Sequence, residues 1–261
     1  MDVTLAGLEA NALVFTREKR HVLDGASLSL DAGEIVSLLG ANGSGKTTLL
    51  RLMLGFLKPE DGVVALAGRD LRAWSRREIA RRIAYVAQNH VAPFPYRVRD
   101  VVLLGRLPQS GWLAPVRAGD FRAADALLDE LGILALAERP YTEISGGERQ
   151  LTLIARALAQ GAGLLVMDEP MAGLDYGAQI RLMRLLQTLR TKGIGVLIST
   201  HHPEHAFWAS DRIALLEQGR ISVTGAPRDV LDAPAIERLY RVKVTALTAP
   251  DGRAAFLPEP A

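Results

Sequence analysis

The sequence predicts an α/β fold with a parallel sheet core, an antiparallel β subdomain near the N-terminus and an inserted helical subdomain. Strand-length apolar runs lie at Ile35–Leu39, Leu164–Met167 and Gly195–Ser199, and helix-forming segments follow them. Strands that alternate with helices are typical of a parallel sheet covered on both faces. The first 40 residues favour β structure, and residues from about 88 to 160 favour helix.

The composition is that of an ordinary globular chain of 261 residues. Hydrophobic residues make up 49% and charged residues 23%, and the absence of cysteine excludes disulfides and thiolate metal sites. The net charge of +2 gives weak support for nucleic-acid binding, so no nucleic-acid partner is expected. No apolar run approaches the roughly 20 residues of a membrane span. A function at a membrane would therefore need spans supplied by another chain.

One local cluster of arginines is denser than the average charge. A solvated helix face is the plainer interpretation, and contact with lipid headgroups or a partner is the alternative. The cluster comprises Arg69, Arg72, Arg76, Arg77, Arg81 and Arg82.

The first glycine-rich segment, Gly40–Thr47, lies between a predicted strand and a predicted helix. Strand Ile35–Leu39 ends directly in this segment, and the helix formers of Lys46–Leu54 follow it. The segment matches G-x-x-x-x-G-K-T in full, a pattern whose backbone N–H groups surround phosphate. Lys46 would neutralise the β- and γ-phosphates of a nucleotide, and the Thr47 hydroxyl would ligate Mg²⁺.

Three units are predicted along the chain. Residues 1–88 and 161–241 form the core with its β subdomain, residues 89–160 a helical subdomain, and residues 242–261 a terminal β-hairpin and tail. In the helical part, Phe121, Ala124, Leu128 and Leu131 have amphipathic spacing; in the core, Ile180, Met183, Leu186 and Leu189 do. At the end, Val242, Val244 and Ala246 alternate before the turn residues Pro250, Asp251 and Gly252.

An acidic pair, Asp168-Glu169, closes the predicted strand Leu164–Met167. Acidic residues at the carboxyl end of a parallel strand face the ligand crevice. Asp168 would hold Mg²⁺, and Glu169 would polarise an attacking water. The plain alternative is a strand-end turn before Pro170.

A second glycine-rich segment, Ser145–Glu148, opens another amphipathic stretch. Ser145 with Glu148 three residues later is a capping box, which needs no function. A helix N-terminus with two glycines is equally an open anion site. These residues alone leave both interpretations open.

Three histidines follow the strand Gly195–Ser199. His201 and His205 are four residues apart, a spacing that would suit a metal on one helix face. Pro203 begins a new helix between them, so a shared face is disfavoured. His201 is better interpreted as a donor to γ-phosphate, and His202 and His205 as surface or packing residues.

The order of these motifs resembles that of the ATP-binding cassette (ABC) ATPases over nearly the whole chain. Gly40–Thr47 resembles the Walker A loop, Leu164–Glu169 resembles Walker B with the catalytic glutamate, and Ile144–Glu148 resembles the signature motif. Single residues resemble four further elements, namely Gln88 of the Q-loop, Asp175 of the D-loop, the switch histidine His201 and the adenine-stacking aromatic Phe15.

The resemblance implies ATP and Mg²⁺ as cofactors and assigns a role to each matched residue. The implied catalytic residues are Lys46, Gln88, Glu169 and His201, and the implied Mg²⁺ ligands are Thr47, Gln88 and Asp168. The implied nucleotide-binding residues are Phe15, Gly40, Ala41, Asn42, Gly43, Ser44, Gly45, Lys46, Thr47 and Thr48. The implied signature residues, acting on a partner's ATP, are Ser145, Gly146, Gly147 and Glu148.

The chain departs from the family pattern at four positions. Ile144 stands for the usual leucine, Glu148 for glutamine, Met171 for threonine and Phe15 for tyrosine. A glutamate that caps its own helix would point away from the γ-phosphate. None of the four changes removes a group that performs the chemistry, so an active ATPase is expected.

The resemblance also implies partners. In this family ATP lies between the Walker A loop of one subunit and the signature of another, so a homodimer is expected. Without spans, the chain would serve a separate permease and a periplasmic or extracellular substrate-binding protein, at the cytoplasmic face of the cell membrane. A soluble ABC ATPase such as a cluster-assembly factor is the alternative, and intact Glu169 and His201 disfavour a non-hydrolysing regulatory subunit.

The stretch after the Q-loop is similar to that of importers of iron-siderophore chelates, haem and cobalamin, with molybdate-type relatives as the alternative. These have a similar phenylalanine-proline stretch, here Pro93–Val98, and a Gly-Arg pair, here Gly105-Arg106. Phe94 and Tyr96 would contact the membrane subunit, and ordinary loop packing is the plain alternative. No residue of this chain contacts the substrate directly, so siderophore, haem, cobalamin and molybdate remain open, in that order of preference.

Overall fold

A computed structural model describes residues 7–88, 94–110, 115–248 and 254–259 of the chain. Within these ranges the strands are β1 (Leu8–Arg17), β2 (Arg20–Leu30), β3 (Ile35–Leu39), β4 (Asp61–Leu66), β5 (Arg69–Asp70), β6 (Ile83–Val86), β7 (Leu164–Asp168), β8 (Gly195–Thr200), β9 (Arg212–Glu217), β10 (Arg220–Gly225), β11 (Val244–Thr248) and β12 (Ala254–Pro258). The α-helices are α1 (Lys46–Met53), α2 (Arg76–Ala80), α3 (Val98–Leu103), α4 (Leu107–Ser110), α5 (Ala118–Glu130), α6 (Gly146–Ala159), α7 (Tyr176–Thr191), α8 (Pro203–Ala209), α9 (Pro227–Val230) and α10 (Ala233–Tyr240).

The main sheet has six strands in the order β10-β9-β3-β8-β7-β6. All neighbours pair in parallel except β10, which is antiparallel to β9. Every residue of β3, β7 and β8 is buried, as expected for central strands covered on both faces. Their carboxyl ends meet at one edge of the sheet, so the segments that follow them form a single site.

The N-terminal sheet is antiparallel, in the order β2-β1-β4-β5. Bulges interrupt the pairing of β1 with β2, and Ala12 adopts a positive φ of 49° within β1. The predicted β subdomain is therefore confirmed, and with the parallel core it confirms the predicted α/β class.

Helices α3 to α6 lie in the region predicted to be helical. Ala124, Leu128 and Leu131 are buried as predicted, whereas Phe121 is 41% exposed in the first turn of α5. The predicted inward face is wrong at Phe121, because the side of α5 that packs into the first core cluster is formed by Ala124 and Leu128 and does not include this ring. The predicted boundaries at 88, 160 and 241 stay a prediction.

The buried side chains form three clusters. The first joins the helical region to one face of the main sheet, and the second fills the space between the other face, α1 and the antiparallel sheet. The third lies under α8, α10 and the C-terminal hairpin β11–β12. Val244 is buried there, but Val242 precedes β11 and is 47% exposed, and the predicted turn at 250–252 lies outside the described residues. No helix in the described ranges is long and apolar enough to cross a bilayer.

Candidate active site

The predicted phosphate loop connects β3 to α1, and its geometry leaves the helix N-terminus open. Gly45, at the N-cap, has φ +107° and provides no side-chain cap, and no acidic residue lies in the first turn. The first N–H groups and the positive end of the helix dipole therefore face the loop without an internal anion. This is the arrangement that a phosphate group satisfies.

Two further features of the loop fit a phosphate. A Cβ at Gly40 would lie 2.7 Å from both the Leu216 carbonyl oxygen and Ser44 Oγ, so only glycine fits there. Ser44 Oγ is buried and has no hydrogen-bond partner among the described residues. A buried hydroxyl without a partner is costly unless a ligand satisfies it.

A buried ion pair lies beneath the loop. Lys46 Nζ is 3.4 Å from Glu169 Oε1, and the two side chains are 6% and 7% exposed. The same ammonium donates to the carbonyls of Gly40 at 2.7 Å and Ala41 at 3.2 Å. Lys46 thus bridges the phosphate loop and the acidic end of β7.

His201 completes this arrangement from the end of β8. Its Nδ1 lies 2.9 Å from the second oxygen of Glu169, Oε2. Because a carboxylate only accepts, Nδ1 bears the proton, and Nε2 is left for another partner. Both oxygens of Glu169 are therefore engaged, one by Lys46 and one by His201.

Ser199 orients the acidic pair, a role that sequence reasoning missed. Its hydroxyl donates to Asp168 Oδ1 and accepts from the Glu169 N–H at 3.0 Å. The one feature that could have pointed to Ser199 is the parallel register of β7 with β8, which places Asp168 opposite Ser199. Glu169 itself has φ +51°, a left-handed conformation that is rare for a residue with a side chain.

The predicted magnesium ligands are of the right chemical type. Thr47, Asp168 and Gln88 all offer oxygen, which Mg²⁺ prefers. Asp168 is 1% exposed, and its Oδ2 accepts no hydrogen bond from the described residues, so this oxygen is available to a cation. Gln88 follows β6 and is exposed. The described residues contain no group of three His, Cys, Asp or Glu side chains arranged for a metal.

Phe15 lies on β1, half-buried against the second core cluster. Its strand partner is Leu23, and a Cβ at Gly45 would lie 3.1 Å from Leu23 Cδ2. Phe15 is therefore one strand away from the phosphate loop.

The second glycine-rich segment starts α6 as a complete capping box. Ser145 Oγ accepts from the Glu148 N–H at 3.3 Å, and Glu148 Oε2 accepts from the Ser145 N–H at 2.7 Å. The hydrogen bond from the backbone N–H of Ser145, followed by the interaction with the Ser145 side chain, lowers the pKa of the Glu148 carboxyl. The carboxylate therefore turns back onto its own helix, and its direction relative to a bound phosphate stays a prediction.

Gly147 brings this segment against the loop after Glu169. A Cβ at Gly147 would lie 2.8 Å from the Gly173 carbonyl oxygen. Asp175 follows and caps α7, since its Oδ1 accepts from the Ala178 N–H at 2.7 Å. Among the described residues, no hydrogen bond or ion pair joins residues 145–148 to residues 40–48.

The three histidines form a stack. The ring centroids of His201 and His202 are 4.1 Å apart, and those of His202 and His205 are 4.8 Å apart. Burial lowers the pKa of His202 and, more strongly, that of His205 to about 4, and the neighbouring histidines add to both shifts. The packing interpretation describes His205 better than a surface position does.

Known proteins resemble this chain over most of its length. The family profile described as ABC transporter matches residues 23–172. An uncharacterized ABC transporter ATP-binding protein of Haemophilus influenzae is 40% identical over 234 residues, 90% of this chain and 89% of that protein. The hemin import ATP-binding protein HmuV of Enterobacter cloacae is 40% identical over 242 residues, 90% of each chain. A metal-chelate type ABC transporter solved in an inward-facing conformation has a TM-score of 0.82, with 29% identity and 98% of each chain covered.

The matched segment is more than half of the chain, and the relatives cover nearly all of it. The chain belongs to the ABC transporter family. It is an ATP-binding subunit of that family, and it hydrolyses ATP.

Proposed function

We propose that this ATPase powers a membrane importer of iron chelates, haem first among them, and works as a homodimer. The observation that supports hydrolysis most directly is the buried contact of Glu169 with Lys46 and His201 under the open N-terminus of α1. The relatives named hemin import ATP-binding protein, at 35–40% identity, and the metal-chelate transporter neighbour support the substrate class.

Each side chain has a distinct proposed part in ATP hydrolysis. Lys46 moves from Glu169 to the β- and γ-phosphates, which are stronger partners for its charge. Glu169 Oε1 is then free to orient and polarise the attacking water, and His201 presents Nε2 to the γ-phosphate while its Nδ1 stays on Glu169 Oε2. Bound Mg²⁺, held by Thr47, Asp168 and Gln88, would neutralise phosphate charge, and Phe15 would stack on the adenine.

The second phosphate contact in this proposal comes from another copy of the chain. Ser145–Glu148 presents a helix N-terminus, with Gly147 close to Gly173 and Asp175 next to it. A dimer that places this surface on the partner's Gly40–Thr47 would enclose ATP between the two chains. The γ-phosphate charge would then hold the dimer closed, and hydrolysis would release it.

The proposed permease contact is an exposed aromatic pair before α3. Phe94 is 59% and Tyr96 54% exposed, and their rings meet edge to face with centroids 5.9 Å apart. Large exposed aromatic side chains are enriched at protein interfaces. This contact would hold the subunit at the cytoplasmic face of the membrane, beneath a permease served by a substrate-binding protein.

The role of Glu169 is tested by ATP turnover of the purified protein. Glu169→Gln keeps the size of the side chain but loses its basicity, so turnover should fall at least about 100-fold while ATP still binds. A variant that turns over ATP like the wild type would contradict this assignment.

Permease contact and substrate are tested in cells. Phe94→Ala with Tyr96→Ala should abolish co-purification with the permease and leave basal ATPase intact; Leu257→Ala, at an exposed residue of β12, is the control.

A strain without the gene should fail to grow on hemin as sole iron source and recover with the wild-type gene but not with Glu169→Gln. Normal growth on hemin would contradict the haem assignment.

A further inference from the structure

The chain places a second aromatic ring directly against the imidazole of His201. The His202 ring lies 4.1 Å from that of His201, with a 39° angle between their planes, and its other side packs against His205 at 4.8 Å. The backbone N–H of His202 donates to Thr200 Oγ1 at 3.0 Å, which fixes the chain at this point.

His201 needs such support. Its side chain is 35% exposed, and the hydrogen bond from Nδ1 to Glu169 is its described polar contact. A ring with one hydrogen bond and one open side can rotate away from its partner at little cost. A neighbouring ring at van der Waals distance removes that freedom.

We propose that His202 is a positioning residue for ATP hydrolysis, which holds the His201 ring so that Nδ1 stays on Glu169. The inference rests on the proposed role of His201. His205, on the first turn of α8, supports the outer side of the stack with its Nδ1 buried. Burial keeps His205 neutral near neutral pH, so this support adds no positive charge beside His201.

The stack serves orientation and not metal binding. Among the described residues, no set of three His, Cys, Asp or Glu side chains could hold a metal.

The test compares three variants at His202 in steady-state ATP hydrolysis. His202→Ala removes the ring and should lower kcat about tenfold with the KM for ATP within about twofold, because a misplaced group affects the transition state more than binding. His202→Phe keeps a flat ring without nitrogen atoms and should restore most of kcat. His202→Asn, polar but without a ring, should not.

Glu204→Ala is the matched control, since Glu204 lies on the same turn of α8 outside the ring stack. It should leave kcat unchanged. If His202→Phe fails to restore kcat, or if Glu204→Ala lowers it equally, the effect belongs to α8 as a whole and the inference is overturned.

A double-mutant cycle separates this inference from the role of His201 itself. Once His201→Ala has removed the ring to be positioned, adding His202→Ala should lower kcat no further. Effects that multiply would overturn the inference while leaving the role of His201 in place. Wild-type turnover in His201→Ala alone would overturn both.

Discussion

Glu169 combines backbone strain with a fully engaged carboxylate. A left-handed conformation costs of order 1 kcal/mol for a residue with a side chain and persists only where neighbours enforce it. Here the N–H bonds to Ser199 and the side chain is shared between Lys46 and His201. In this state both carboxylate oxygens have a partner, and a nucleotide that attracts Lys46 would release Oε1.

The carboxylate of Glu148 makes a pH-dependent contribution to the stability of the folded protein. Its pKa is below the ordinary 4.5, so its stabilising effect is fully present above that pH and is lost as pH falls through the lowered pKa. Glu148→Gln keeps the capping box but loses the charge-assisted hydrogen bond, at a cost of about 0.5 kcal/mol at neutral pH. Thermal melts should show this difference near pH 7 and lose it in acid.

The control for this series is Glu143→Gln, on an exposed residue just before the cap. Its melting temperature should follow the wild type at every pH. A Glu148→Gln difference that grows as pH falls would contradict the assigned sign.

Tyr240 is a second residue with a clear expectation. Its hydroxyl is buried without a hydrogen-bond partner among the described residues, and burial followed by the charges of Glu169 and Glu204 raises its pKa. Tyr240→Phe removes an unsatisfied polar group and should leave stability unchanged or raise it by about 1 kcal/mol. Denaturant unfolding of Tyr240→Phe beside the wild type measures this difference, and a clear loss of stability in the variant would contradict it.

At the scale of elements, the Gly105-Arg106 pair joins three helices. A Cβ at Gly105 would lie 2.0 Å from the Arg156 carbonyl oxygen, so only glycine allows the end of α3 to pack on α6. Arg106 then donates to the Ala159 carbonyl at the end of α6 and pairs with Asp120 of α5 at 3.1 Å. The pair, singled out in the sequence by resemblance, therefore has a packing reason in this fold.

The start of α6 provides a matched pair of glycines. Gly147→Ala would place a methyl group 2.8 Å from the Gly173 carbonyl oxygen, whereas a methyl group at Gly146 meets nothing within 4 Å. We expect Gly147→Ala to destabilise by about 1–3 kcal/mol through overpacking. Gly146→Ala should be neutral or stabilising by up to about 1 kcal/mol, because it stiffens the unfolded chain. Equal effects in urea unfolding would show that the contact with Gly173 does not matter.

The sequence predicted what depends on local pattern. Strands β3, β7 and β8 were found because a central parallel strand is apolar along its whole length, and the capping box was found because its two residues are three apart. Ser199 and the Gly147–Gly173 contact were missed because they join segments about 30 residues apart, which only the packing of the sheet and helices brings together. Phe121 was assigned inward because the apolar spacing continues into the first turn of α5, and spacing alone does not tell which turns are covered.

At the scale of the whole molecule, the buried side chains are divided into three cores, and this division predicts which parts of the protein unfold separately. The first two clusters lie on opposite faces of the main sheet, and in the third Leu39, Ile213 and Leu215 of the same sheet pack against α8, α10 and the hairpin β11–β12. Helix α8 begins two residues after His201 and packs on the third core through Ala206. The third core therefore holds the helix that bears His205 of the histidine stack. Loss of this core should disturb catalysis before it disturbs nucleotide binding.

Phe256 and Leu257 test this separation because they are neighbours on opposite faces of β12. Phe256 is 8% exposed and packs into the third core, and Leu257 is 51% exposed. Phe256→Ala should weaken that core by about 3 kcal/mol, and Leu257→Ala should change stability by less than about 0.5 kcal/mol. Hydrogen exchange should then rise in α8, α10 and β11–β12 while β3, β7 and α1 keep their protection, because subglobal units open separately. Exchange that rises equally in all three cores would show that the molecule unfolds as one unit. In the same variant, Phe256→Ala, ATP turnover should fall while the affinity for nucleotide is retained.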